Sequence, residues 1–286
     1  MASMERAMAA SETSKLWRVP RFGELELLRA QYRTQTFPRH THDCYAIGVI
    51  EQGALGFFYR GENVVAARGD INLCIPGEVH TGHPAVTEGW SYRMFYLDVS
   101  LLERVASEMS DRPQNIPFFQ SGVLTDGAIA QQLRQLHQQF EQSSESLLQQ
   151  ETEFLEVLAT FIKRHADAPP SLAPIGQERR AVTQIKHYIE SHYAEEISLS
   201  ALAHLTHLSR YHLIRVFRET VGIPPHAYLR QVRIRHAKAM LADGLPIADV
   251  AIATGFTHQS HLNRWFKKLW GITPGQYRNC VQDRSA

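Results

Sequence analysis

Three histidines are the residues best suited to chemistry. His40 and His42 stand in PRHTHDCY (Pro38–Tyr45), and His80 stands in PGEVHTGHP (Pro76–Pro84). His-x-His on a strand turns both imidazoles to one face, and a third from a neighbouring strand would complete a facial set of nitrogen donors for a metal. The alternative is that the rings are hydrogen-bonding residues of a small-molecule pocket. Tyr45, Glu78, Tyr92, Arg93 and Tyr96 are the other pocket candidates. Their mixture of aromatic, carboxylate and guanidinium groups suits a small polar or zwitterionic metabolite. Strand alternation forbids Tyr92, Arg93 and Tyr96 from all facing inward, so one parity must be wrong.

A second set of residues could read a nucleic acid. HLSRYHLIRVFRETVGIPPHAYL (His207–Leu229) is echoed about 48 residues later by GFTHQSHLNRWFKKLWGITPGQYR (Gly255–Arg278). Each copy follows a short apolar-x-x-apolar-Ala segment: Leu199, Leu202 and Ala203, then Ile247, Val250 and Ala251. Each then carries Arg-apolar-Phe, with Gly, Pro and Tyr 5, 8 and 11 residues after the Phe. Short helix, tight turn and longer helix is the helix-turn-helix pattern, whose second helix enters the major groove. The groove-facing candidates are Arg210, Tyr211, Ile214 and Arg215 in the first copy. In the second they are His258, Gln259, Ser260, His261, Asn263 and Arg264. Gln, Asn, Ser and Arg can match base-edge donors and acceptors, and Ile can touch a thymine methyl. One such pattern also fits a packed helical hairpin. Two copies joined by a long segment, Pro225–Leu241, with Arg230, Arg233, Arg235 and Lys238, fit reading heads held in successive grooves, roughly 34 Å apart. Phe217, Phe266, Trp265, Leu213 and Leu262 lie on helical spacing and are expected in the core.

The elements that must position these groups follow from periodicity. Glu24 to Leu97 breaks into short apolar or alternating runs, Tyr45–Glu51, Leu55–Tyr59, Val64–Ala67, Ile71–Ile75 and Tyr92–Leu97, separated by turn signals such as Gln52-Gly53 and Gly69-Asp70. That texture predicts a β-sandwich or small barrel. Helical stripes follow at Ser100–Met109, Ala128–Phe140 and Phe154–Ile162, and everything beyond Arg179 is helical in period. ADAPPSLAPIGQ (Ala166–Gln177) reads as a linker. The expected organisation is a flexible tail over 1–20, a sensor with appended helices over 21–165, the linker over 166–177, and an all-α domain over 178–286.

Charge supports that division. Residues 1–176 carry 15 Lys and Arg against 21 Asp and Glu, whereas residues 177–286 carry 15 against 8. A basic module suits a polyanion. No apolar run is long enough to span a membrane, the N-terminus lacks a signal-peptide h-region, and three cysteines without CxxC spacing fit a reducing cytoplasm.

The C-terminal phrase, above all IADVAIATGFTHQSHLNRWFKKLWGITPGQYR (Ile247–Arg278), resembles the DNA-binding domain of the AraC/XylS family of bacterial transcription regulators. His40-x-His42, Gly69-Asp70 and Pro76-Gly77-x-x-His80 resemble a cupin, as in the sensor domains of that family. The resemblance implies a cupin-like β-barrel with dimerisation helices, joined to a seven-helix domain with two helix-turn-helix motifs. Ile214 stands where the family often has a polar residue, and His207 where it often has a small one. Metal-binding cupins usually add a Glu soon after the His pair, and this chain has Ala46-Ile47 there. The expected pocket therefore holds no metal and no cofactor. The expected function is a non-enzymatic, cytoplasmic, effector-responsive regulator, acting as an activator in the family's manner. Its partners would be double-stranded promoter DNA, an unidentified small molecule, a second copy in a homodimer, and RNA polymerase. Two alternatives stay open: a metal-dependent cupin enzyme fused to a DNA-binding domain, and a constitutive regulator whose N-terminal half only dimerises.

Overall fold

The computed structural model describes residues 12–23, 25–142, 145–176 and 178–282. The chain packs as two compact units. One comprises the described parts of residues 1–106, 114–138 and 160–170, and the other those of 107–113, 139–159 and 171–286.

The first unit is built on strands β1 (Thr13–Arg18), β2 (Glu26–Tyr32), β3 (Phe37–His40), β4 (Tyr45–Tyr59), β5 (Glu62–Ala67), β6 (Ile71–Cys74), β7 (His80–Pro84), β8 (Trp90–Leu97) and β9 (Val123–Leu124). One layer runs β1-β2-β8-β4-β6-β9, and a second pairs β3 with β7 and β7 and β5 with β4. All pairings are antiparallel.

β4 belongs to both layers. Gln52-Gly53 was expected to be a turn between two strands, but pairing continues through it as one 15-residue strand. A register shift between Ile50 and Gln52 bends the strand. Gly53 sits at φ +67°, and a Cβ there would lie 1.9 Å from the Gly89 carbonyl oxygen, so only glycine fits the bend.

The core lies between the layers. Ala46 and Ile50 precede the bend, Leu55, Phe57 and Tyr59 follow it, and Trp90, Tyr92 and Met94 face them from β8. Of the expected tail, residues 1–11 lie outside the described part. Thr13–Arg18 is a strand with all six residues in register on β2, and the Glu12 carboxylate accepts the Arg33 and Thr34 amides at 2.8 and 2.7 Å.

Helix α1 (Val99–Ser110) follows β8, and α2 (Gly127–Gln142) and α3 (Leu147–His165) follow β9. Their apolar stripes, including Ile129, Leu133, Leu136, Phe154, Leu158 and Phe161, are buried within the chain. The remaining helices are α4 (Arg179–Ser191), α5 (Leu199–Thr206), α6 (Arg210–Val221), α7 (Pro225–Ala242), α8 (Ile247–Ala253), α9 (Gln259–Trp270) and α10 (Pro274–Gln282). No helix among the described residues is long and apolar enough to cross a membrane.

Candidate functional sites

The two copies of the repeat fold alike. In the first, Ser209 is the N-cap of α6 and accepts the His212 amide. His207 takes the left-handed position of the α5–α6 turn, at φ +55°. In the second, Gly255 takes that role at φ +77°. A Cβ there would meet the Ala194 carbonyl oxygen at 2.7 Å, so the turn requires glycine for space as well as for φ. The C-caps are Gly222 and Gly271, both left-handed. Phe217, Phe266, Leu213 and Leu262 are wholly buried, while Trp265 is half-buried under the Arg230 guanidinium at 3.4 Å.

The candidate reading residues divide sharply. Gln259 and Ser260 are exposed at the start of α9, and Arg264 is exposed one turn later. His258 is the N-cap: its Nδ1 accepts the His261 amide at 3.1 Å and lies 2.6 Å from Ser260 Oγ. His261 is buried, with Nε2 3.4 Å from a Glu145 carboxylate oxygen, and Asn263 is half-buried.

On α6 the expected set fares differently. Ile214 is 1 % exposed and packs in the core, so it offers nothing to a groove in this conformation. Arg210 gives Nε and Nη2 to Glu108 Oε1 at 2.9 and 2.6 Å, and the Tyr211 amide donates to Glu108 Oε2 at 3.3 Å. Arg215 Nη1 donates to the Ala173 carbonyl at 2.7 Å. Glu108 thus occupies the Arg210 guanidinium, and on α9 the Arg264 Nη2 donates to Glu145 Oε1 at 2.5 Å.

The basic helix α7 is also more structural than its composition suggested. Arg233 is buried and ties to the Tyr193 and Glu195 carbonyls at 2.7 and 2.8 Å. Arg230 donates to Gln149 at 2.6 Å, Arg235 pairs with Glu190, and Lys238 stands 3.2 Å from the Trp270 ring centre. These contacts hold α7 against its neighbours, which suits a rigid spacer between the two motifs.

In the β unit a cavity of about 110 Å³ lies between the layers. Five of the eight expected residues line it: His40, His42, His80, Tyr92 and Tyr96. Tyr92, Met94 and Tyr96 share one parity of β8, which settles the alternation question. Arg93 faces the other way, with Nε 2.9 Å from Glu51 Oε1 and Nη1 donating to His137 Nδ1 at 3.1 Å. There it borders a larger basin of about 630 Å³, with Lys15, Arg29, Arg68 and Arg134. Tyr45 is buried elsewhere, its hydroxyl donating to the Pro117 carbonyl at 2.5 Å. The Glu78 carboxylate stands 3.7 Å from Arg60 and does not line the cavity. Sequence reading missed Phe37, Asn72, Cys74, Trp90 and Met94, which reach the cavity by packing and carry no motif. Met94 alone was accessible to it, as the residue between Tyr92 and Tyr96 on their face.

The histidines cluster tightly. His40 and His80 are register partners across β3 and β7, while His42 lies just past the end of β3. Their ring centres stand 4.3 to 5.0 Å apart. Burial holds His42 down at about 4, with the neighbouring His80 and His40 adding to the effect, and burial lowers His80 as well.

Residues 22–158 match the model of the AraC-like ligand binding domain, and residues 202–279 match a helix-turn-helix domain. A Bacillus subtilis protein described as the uncharacterized HTH-type transcriptional regulator YbfI is 31% identical over 238 residues, 83% of this chain and 86% of that one. The bifunctional transcriptional activator/DNA repair enzyme AdaA of the same organism is 36% identical over 98 residues, 34% of this chain and 46% of its own. Among solved structures, the DNA-binding domain of AdpA in complex with a target DNA is 25% identical, covering 36% of this chain and 95% of its own, with a TM-score of 0.35. With a ligand-binding domain ahead of a helix-turn-helix domain, and a relative matched over most of its length, the chain belongs to the AraC/XylS family of transcriptional regulators.

Proposed function

We propose that the protein is a promoter-binding transcription regulator whose affinity for DNA answers to a small molecule held between the β layers. The observation that carries this is the pairing of two helix-turn-helix motifs across α7 with a histidine- and tyrosine-lined cavity in a ligand-binding domain. Gln259, Ser260 and Arg264 are the base-reading residues of the second motif. Arg210, Tyr211 and Arg215 belong to the first once their partners release them.

The carboxylates of Glu108 and Glu145 give the switch its physical form. A state in which they hold Arg210 and Arg264 competes with DNA for the same guanidiniums, and an effector that favours release favours binding. The protein acts in the cytoplasm without catalysis, as a homodimer and in the manner of an activator that engages RNA polymerase. Because the apolar stripes of α2 and α3 are spent inside the chain, a dimer must use their outer faces.

A second reading has one observation in its favour. The larger basin carries Lys15, Arg29, Arg68, Arg93 and Arg134 against Glu51 alone, which suits an anionic effector. Footprinting on the cognate promoter with and without a stability-shifting metabolite tests the proposal. Identical footprints and identical promoter output in both conditions would overturn effector control. Loss of the metabolite's effect in Tyr92→Ala places it between the layers, and loss in Arg68→Ala places it in the basin.

A further inference from the structure

We propose that His40, His42 and His80 form a divalent-metal site of the zinc class, with three imidazole nitrogens holding the ion and at least one coordination position left open to the cavity. One ring nitrogen from each residue lies within 4.8 Å of the others. A zinc ion at roughly 2.0–2.1 Å from each nitrogen needs separations of roughly 3.4 Å, so the three rings draw together when the ion binds.

The surroundings prepare the rings for ligation. The His40 Nδ1–H donates to the Pro38 carbonyl at 2.7 Å, and the His80 Nδ1–H donates to the Glu78 carbonyl at 3.0 Å. Each bond fixes the tautomer and leaves Nε2 as a lone pair, the arrangement that orients metal-binding histidines. Both acceptors lie two residues before the ring they hold, so the same local device serves two different strands. The cross-strand register of His40 and His80 keeps the two on one face, and the Gly77 amide bonded to the His42 carbonyl at 2.8 Å ties the third ligand's loop to the turn that leads into β7.

The donor set also selects the ion. Three neutral imidazoles without a carboxylate suit zinc, cobalt, nickel or copper, and poorly suit calcium or magnesium, which take oxygen ligands. Such a set leaves the ion's double positive charge uncompensated. The open position therefore favours an anionic oxygen donor, such as a carboxylate or hydroxamate carried by the effector. That occupant rests on the effector reading above; the metal site does not.

The test uses the full-length chain, stripped with a chelator and titrated with cobalt(II). One cobalt per chain is expected, with visible d–d bands that zinc displaces and that are lost at equimolar cobalt in His40→Ala and His80→Ala. The exposed His204→Ala is the control and should leave the bands unchanged. Metal-free thermal unfolding shows whether each variant folds. X-ray absorption at the zinc edge of the wild-type chain gives a readout independent of any variant, and three imidazole scatterers are expected. Absence of the bands, bands that survive in both folded variants, or fewer than three imidazoles would overturn the site. Acetohydroxamate should shift the cobalt bands, and an unaltered spectrum would refute the open position. If no cobalt binds while metabolites still raise thermal stability, the metal site falls and the effector reading stands.

Discussion

Arg264 on α9 donates through Nη2 to Oε1 of Glu145 at 2.5 Å. The arginine is half-exposed while the carboxylate is nearly buried, and the other Glu145 oxygen faces His261. Burial alone would raise the Glu145 pKa, but the His261 hydrogen bond and the Arg264 charge bring it below the ordinary carboxylate value. The helix proposed to read DNA is thus held by an acid from the same unit.

Glu145→Gln should raise affinity for the cognate promoter a few-fold, about 1 kcal/mol at most for a half-exposed pair. Arg264→Ala should lower it by about 1–3 kcal/mol. Fluorescence anisotropy on the four members of the double-mutant cycle measures both. If Glu145→Gln leaves binding unchanged, the carboxylate does not compete with DNA.

The two motifs should contribute unequally. Gln259 is free at the head of α9, so Gln259→Ala should cost about 1–3 kcal/mol on the cognate site and little on random DNA. Arg210 must first leave Glu108, so Arg210→Ala should act mainly through phosphates and flatten the salt dependence of binding. Equal losses on cognate and random DNA for Gln259→Ala would contradict a base-reading role.

Gly255→Ala should destabilise the second motif by about 1–3 kcal/mol, since it combines a left-handed φ with a Cβ 2.7 Å from the Ala194 carbonyl oxygen. Gly271→Ala carries only the φ cost, because nothing lies within 4 Å of its Cβ. Urea unfolding of both variants should rank them in that order.

Stability should fall as the medium is acidified, partly through His226. Burial first, then the charges of Arg230 and Arg218, hold this ring down at about 3. Its 3.8 Å approach to Glu153 does not reverse this, since burial pushes the Glu153 carboxyl up. Unfolded, the ring titrates near about 6.5. Below that value the unfolded chain takes up a proton that the native state refuses. Stability present above about pH 6.5 is therefore lost progressively as the pH falls toward about 3. The urea midpoint of His226→Gln should depend less steeply on pH across that window; an identical slope would remove His226 from the account.

Much of the machinery was legible in the residues themselves. Helix caps and turns are local chemistry: Ser209, Gly222, Gly255 and Gly271 do what their side chains, or the lack of them, allow. The apolar period of α6 and α9 placed Phe217 and Phe266 in the core. Local reading failed at Gln52-Gly53, where a turn-forming pair became the bend of a continuous strand because partners on both sides supply its hydrogen bonds. It failed again at Ile214, a candidate for the groove that tertiary packing leaves only 1 % exposed.

By itself the sequence determined the repeat, the strand-to-helix change and the His-x-His pair, because each is written in neighbouring residues. Only the tertiary structure decided that Tyr92 and Tyr96 face the cavity while Arg93 turns to Glu51, that His40 meets His80, and that Arg210 and Arg264 find carboxylates more than a hundred residues away in the chain. Strand register and long-range ion pairing depend on which distant surfaces bury one another, and no local period encodes that choice.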